Sequence, residues 1–226
     1  MNYTLVILGV ILLVVIFILY RVLSEQGNVV TSIVTLDAST TNPSVNFSTL
    51  ASPTSQKYYL SFWVNIESIT GSADLFSIKN GPDDILKVGF KSDATLFYSI
   101  KSVEVPGLVD HTIMTNFPIQ KWAFVVLSID GNVVDMYYDG KMIRSEKLSA
   151  KPEVPTKDST ITFSKPNGII FLAKFERNPT PIDPTTAWNK YMAGNGGNYF
   201  SNLMSSYGAS FTITKDNVAI NKVSLF

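Results

Sequence analysis

The sequence predicts an all-β fold, a two-sheet antiparallel sandwich, preceded by one N-terminal transmembrane helix. Three observations predict it. Residues 5–20 form an apolar run without a charge. Short runs of β-branched and aromatic residues then recur along the chain, bounded by Gly, Pro, Asn and Asp. Two Asp-Gly dipeptides separate three of those runs, as in a meander of tight hairpins.

The chain divides into an anchor over 1–23, a tether with a first strand over 24–56, and the sandwich over 57–226, which carries short helices near 185–204. The anchor residues are Leu5, Val6, Ile7, Leu8, Val10, Ile11, Leu12, Leu13, Val14, Val15, Ile16, Phe17, Ile18, Leu19 and Tyr20. With Tyr3, Thr4, Val22 and Leu23 the segment reaches roughly 20 residues, and at ~1.5 Å per residue it spans a hydrocarbon core of about 30 Å. Tyr3 and Tyr20 stand where interfacial aromatics sit, and Arg21 can snorkel to the headgroups. A cleaved signal peptide would need a basic leader and a small-x-small cleavage site. No Lys or Arg precedes the apolar run, and Arg21 to Gln26 holds no such site. Arg21 places the sandwich on the cytoplasmic side by the positive-inside bias.

Strands are expected over Thr31–Leu36, Tyr58–Ile66, Leu75–Lys79, Ile85–Phe90 and Thr95–Lys101. Trp122–Ile129, Val133–Tyr138 and Met142–Leu148 form the meander, joined by Asp130-Gly131 and Asp139-Gly140 as type I′ turns. Ile161–Phe163 and Gly168–Arg177 continue the pattern. After the Pro-rich run 178–184 the period changes, so Thr185–Met192 and Tyr199–Met204 read as short helices. Ala209–Thr214 and Val218–Leu225 read as closing strands.

Composition excludes several chemistries. With 18 basic and 18 acidic residues and no basic cluster, the chain lacks the positive field that nucleic acid requires. It has no cysteine, so disulfides, thiolate metal sites and cysteine nucleophiles are excluded. His111 is the only histidine, too few for a multi-histidine metal site, and reads as a surface loop residue. No Glu has an Asp two positions later, the spacing that sets paired glycosidase carboxylates on one sheet face. No cofactor is expected. Trp63 and Trp122 are expected in the core. Trp188, with Tyr191 beside it, is the candidate partner contact, able to stack on a sugar or pack on a protein.

Two segments resemble a known family. Tyr59-x-Ser61-Phe62-Trp63-Val64 resembles an early strand of the laminin-G-like, concanavalin A-like jelly rolls. Trp122-x-Phe124-x-x-x-Ser128-x-Asp130-Gly131 followed by Val134-x-Met136-Tyr137-x-Asp139-Gly140-Lys141 is similar to that family's central hairpin. The resemblance covers roughly residues 58–175 and implies a jelly-roll sandwich, with the tryptophan between the sheets and the tyrosine pointing inward. Some members of that family bind calcium on a rim, so the resemblance leaves calcium open at Asp83-Asp84, although that ion needs six or more oxygens. Together with the anchor, the chain resembles membrane-anchored minor capsid proteins of large icosahedral DNA viruses. That resemblance implies a non-enzymatic structural protein joining an internal virion membrane to the capsid shell, with lipid and capsid proteins as partners. The alternative is a membrane-displayed lectin-like module that binds glycans.

Overall fold

A computed structural model describes residues 29–42 and 44–195, six positions of the N-terminal segment (Gly9, Leu12, Leu13, Val15, Ile16 and Phe17), and the backbone of 210–215 and 218–224. In chain order the strands are β1 (Val29–Leu36), β2 (Val45–Asn46), β3 (Lys57–Ile69), β4 (Ala73–Asn80), β5 (Asp83–Phe90), β6 (Leu96–Lys101) and β7 (Leu108–Met114). β8 (Ala123–Asp130), β9 (Val133–Tyr138), β10 (Lys141–Lys147), β11 (Thr160–Phe163) and β12 (Gly168–Asn178) follow. Then come the helix α1 (Pro184–Met192) and the strands β13 (Ser210–Lys215) and β14 (Val218–Ser224).

Two six-stranded sheets face each other. The first runs β1-β12-β3-β8-β9-β10 and the second β2-β11-β4-β5-β6-β7. Among the described residues every strand pairing is antiparallel, as in the all-β sandwich that the sequence predicts. The residues read as tether plus first strand are drawn into this body. β1 pairs with β12, β2 pairs with β11, and Phe47, in a single 3-10 turn (Phe47–Thr49), is fully buried. Among the described residues β13 and β14 pair only with each other, so they do not close either large sheet. The predicted helix over Tyr199–Met204 lies outside the described residues.

Alternation explains the core. Tyr58, Leu60, Phe62, Val64 and Ile66 of β3 all point between the sheets, as the period of two requires. Phe175 of β12 sits at the centre. Its ring lies edge-on to Phe76 at 4.7 Å and to Phe163 at 5.5 Å, and stacks on Phe62 at 5.8 Å. Rings from both sheets therefore interlock around one side chain.

Arg177 follows Phe175 by two residues, so it faces the same way, and it is only 1% exposed. Among the described residues no carboxylate meets it. Its guanidinium donates to three loop carbonyls, Ala51 O at 3.0 Å and Ser52 O and Pro53 O at 3.3 Å, and lies over the rings of Phe47 and Tyr58. Burial pulls its pKa down, and the charge of Tyr58 opposes that shift. Burial pushes the Tyr58 hydroxyl up.

The second-sheet edge β7 and the first-sheet edge β10 are fastened by polar contacts. Arg144 donates to Thr112 O at 3.0 Å, and His111 Nδ1 meets Glu146 Oε1 at 2.9 Å while its ring stacks on Tyr98. His111 is thus a half-buried strand residue, not a loop residue. β7 escaped sequence reading because most of its side chains are polar or only partly buried.

Two expectations about the meander change. The first turn is Gly131-Asn132, since Asp130 pairs with Val133, and only Gly131 has positive φ (65°). That is the pattern of a type II′ turn. Asp139-Gly140 is the type I′ turn expected, with φ of 46° and 76°. Trp122 precedes β8 and is half-buried, so it does not fill the space between the sheets.

Candidate functional site

The outer face of the first sheet carries a second apolar cluster. Tyr59, Trp63, Phe124, Val126, Tyr137 and Ala173 lie there under Ile182 and Ala187, with Trp122 and Tyr191 packed alongside. Trp63 and Tyr137 belong to this cluster and not to the inter-sheet core, contrary to the expected placement. β3 is buried on both faces, so its alternation does not tell inside from outside.

Helix α1 lies over this face, and the local sequence explains its start. The Pro-rich run ends β12, and Pro184 occupies the first helical turn, where its missing N–H costs nothing. Asp183 caps the helix by accepting from Thr186 N at 2.9 Å. The Thr186 hydroxyl bond, foremost, holds the Asp183 pKa below the ordinary carboxylate value. A folded pKa below the unfolded one contributes stability above the unfolded value, and that stability is lost as pH falls through the folded one. We therefore expect α1 to fray below about pH 4. Asp183→Asn, which caps equally well, should remove that pH dependence. Tryptophan fluorescence across an acid titration checks both outcomes.

α1 brings the two sequence-predicted contact residues together. Tyr191 stacks on Trp63 at 5.7 Å, and Trp188 leans on Tyr191 at 5.6 Å while remaining 41% exposed. Gly140 makes the close approach feasible. A Cβ there would stand 2.9 Å from Tyr191 Cβ and 3.0 Å from Trp188 Cα, on a backbone already at φ 76°. Gly140→Ala should lift α1 off the sheet and destabilise the fold by about 1–3 kcal/mol, read as a lower thermal midpoint with increased Trp188 solvent quenching.

Beside the helix end is a pocket of about 130 Å³ lined by Ser61, Trp63, Phe124, Lys174, Glu176, Lys190 and Ala193. Lys190 grips both carboxylate oxygens of Glu176, at 2.9 and 2.8 Å, and lies over the ring of Tyr59. Further along the same face runs an open groove of about 560 Å³, lined by Ile33, Asn65, Glu67, Gln120, Trp122 and Phe171. Ile33 is 67% exposed there.

Neither Lys174 nor Glu176 was singled out from the sequence. Both lie in a predicted strand, and nothing in its hydrophobic pattern marks an outward bulge. Just past the β4–β5 turn, Asp83 pairs with Lys101 at 3.2 Å, and Asp84 lies 3.7 Å from Lys79 and 3.8 Å from Lys87. Those lysines occupy the acids proposed for calcium. Among the described residues no three His, Cys, Asp or Glu side chains converge as metal ligands.

Of the expected anchor, Leu12, Leu13, Val15, Ile16 and Phe17 are described; they are helical and exposed. Leu5, Val6, Ile7, Leu8, Val10, Ile11, Val14, Ile18, Leu19 and Tyr20 lie outside the described residues. No helix of the described residues is long and apolar enough to cross a membrane.

Two facing antiparallel sheets around one aromatic core define a jelly-roll sandwich. The chain belongs to the laminin G 3 family, of the concanavalin A-like lectin/glucanases superfamily, whose sequence profile matches residues 39–169. No curated protein matches the sequence. Among solved structures the chain is similar to the botulinum neurotoxin serotype G binding domain, at 14% identity and a TM-score of 0.54, over 74% of this chain and 46% of that one. The binding domain of botulinum neurotoxin DC in complex with SialylT gives 15% identity and a TM-score of 0.55, over 72% and 46%. The receptor binding domain of the mosaic serotype C/D toxin gives 14% and 0.59, over 73% and 42%. The chain spans less than half the length of these toxin domains. At such identities the likeness shows the fold.

Proposed function

We propose that this chain is a non-enzymatic, membrane-anchored interaction module. Its N-terminal helix lies across a bilayer, and its sandwich docks a structural protein at the membrane surface. In the virion setting that the sequence resemblance implies, the bilayer is an internal membrane and the partner belongs to the capsid shell.

One observation carries the reading. The described anchor positions are helical, apolar and exposed, with no place in either hydrophobic cluster. Five exposed large apolar side chains within six residues need lipid or protein to cover them. The anchor confines the sandwich to a thin layer, where a high effective concentration lets weak contacts suffice. The groove beside Trp122 and the exposed Trp188 supply apolar contact surface on one face.

A second reading, glycan recognition at the membrane surface, is favoured by Trp188 beside Tyr191 and by the SialylT-bound toxin neighbour. The same botulinum neurotoxin DC binding domain, in complex with rat synaptotagmin II, favours a protein partner instead.

Detergent phase separation of the full-length chain tests the anchor. The protein should enter the detergent phase, and lysines at Leu12, Leu13 and Ile16 should move it to the aqueous phase. Partition of the unaltered protein into the aqueous phase would refute the proposal. Crosslinking with mass spectrometry on the native membrane or particle then separates the readings, with shell-protein crosslinks supporting the first. Glycan-array binding that depends on Trp188, without protein crosslinks, would support the second.

A further inference from the structure

The pocket at the end of α1 has features that the anchor and the partner groove do not use. Lys174 has φ 46°, the left-handed region, in the middle of β12. A non-glycine residue pays for that conformation, and such strain clusters at functional positions. The ladder explains how it arises. Ala173 pairs with Trp63 and Glu176 with Ser61, so three steps along β12 match two along β3. Lys174 is the extra residue of a β-bulge. Such bulges re-aim side chains.

The consequence is chemical. Ala173 stays in the outer cluster and Phe175 in the inter-sheet core, while Lys174 turns outward to line the pocket with Glu176 and Lys190. Glu176 is already gripped by Lys190. Lys174 is half-buried, and its side chain makes no hydrogen bond or ion pair with the described residues. The pocket therefore holds two ammonium groups against one carboxylate, a net charge of +1. Its other wall is apolar, made of Trp63 and Phe124.

We infer that this pocket is a binding site for a small monoanion, a carboxylate carried on a compact ring. The carboxylate meets Lys174, and the ring lies against Trp63 and Phe124. A monoanion brings the site to neutrality, whereas a phosphate dianion would leave excess negative charge beside Glu176. At about 130 Å³ the space is smaller than the ~300–1,000 Å³ of drug-sized sites, so it admits one ring and not a polymer segment. The inference stands independently of whether the domain meets a capsid partner.

Ligand-observed saturation-transfer NMR on the full-length chain in detergent tests it, with glucuronate as the probe. We expect binding with a Kd on the order of 1 mM. Lys174→Met should weaken it at least about tenfold, the scale of a lost charge-assisted contact. Lys174→Arg should retain it. Lys174→Gly relieves the left-handed backbone, so it should lose the probe while keeping or raising the thermal midpoint, which separates binding from folding. Glucose, the neutral counterpart, should not bind. Equal binding of glucose or inorganic phosphate, an unchanged affinity in Lys174→Met, or no glucuronate signal in the unaltered chain would each overturn the inference. Membrane partition is unaffected by all of these outcomes.

Discussion

Replacing Arg177 with alanine is expected to lower stability by about 3–5 kcal/mol. The side chain is fully buried and donates to three carbonyls of the 51–53 loop, two of them through one nitrogen. Without it, those acceptors lose their donors, at about 1–3 kcal/mol for each that stays dry, and the rings of Phe47 and Tyr58 flank a cavity. For a chain of this size the change corresponds to a fall of roughly 6–20 °C in thermal midpoint. Arg177→Lys should also destabilise, because one ammonium cannot reproduce a planar fork. Circular dichroism melting of the full-length protein in detergent checks this. A loss below about 1 kcal/mol for the alanine variant would mean that water replaces the guanidinium at the loop.

Phe175→Ala is expected to cost a similar amount, about 3–5 kcal/mol. Among the described residues its ring alone touches Phe62, Phe76 and Phe163 together, so its removal unlocks both sheets at one point. Phe175→Leu keeps most of the volume and should cost less than about 1.5 kcal/mol. Chemical denaturation gives the comparison, and near-equal losses for the two variants would show that shape and not volume governs the site. Arg177 and Phe175 point the same way on β12, so the double variant should depart from additivity.

Much of this architecture can be read from the residues. β-branched and aromatic runs located most strands of both sheets, and Asp139-Gly140 has the two positive φ values expected of it. The Asp130-Gly131 expectation slipped by one residue, because a glycine at either turn position leaves a similar dipeptide. β2, two residues long, carries too little pattern to be seen. Alternation fails where a strand is covered twice. β3 reads Tyr-Tyr-Leu-Ser-Phe-Trp-Val, apolar on both faces, so Trp63 could not be assigned to the helix side.

The site was legible in part. Trp188 and Tyr191 stand out as aromatics in a Pro-rich irregular stretch, and α1 does bring them into contact. Lys174 did not stand out, because a bulge is a mismatch between two strands and neither strand alone records it. Arg177 carried a signal that went unused. It stands two residues after Phe175, and the period of two puts both on the buried face.

The edge position of β1 has a mechanical consequence. Its hydrogen bonds to β12 run from Val29 opposite Glu176 to Leu36 opposite Ile170, perpendicular to the strand axis as antiparallel ladders require. A tug arriving through the chain ahead of Val29, directed along the strand, loads all those bonds at once in shear instead of peeling them one by one. A strand held this way resists a steady pull, and it yields abruptly when it yields at all.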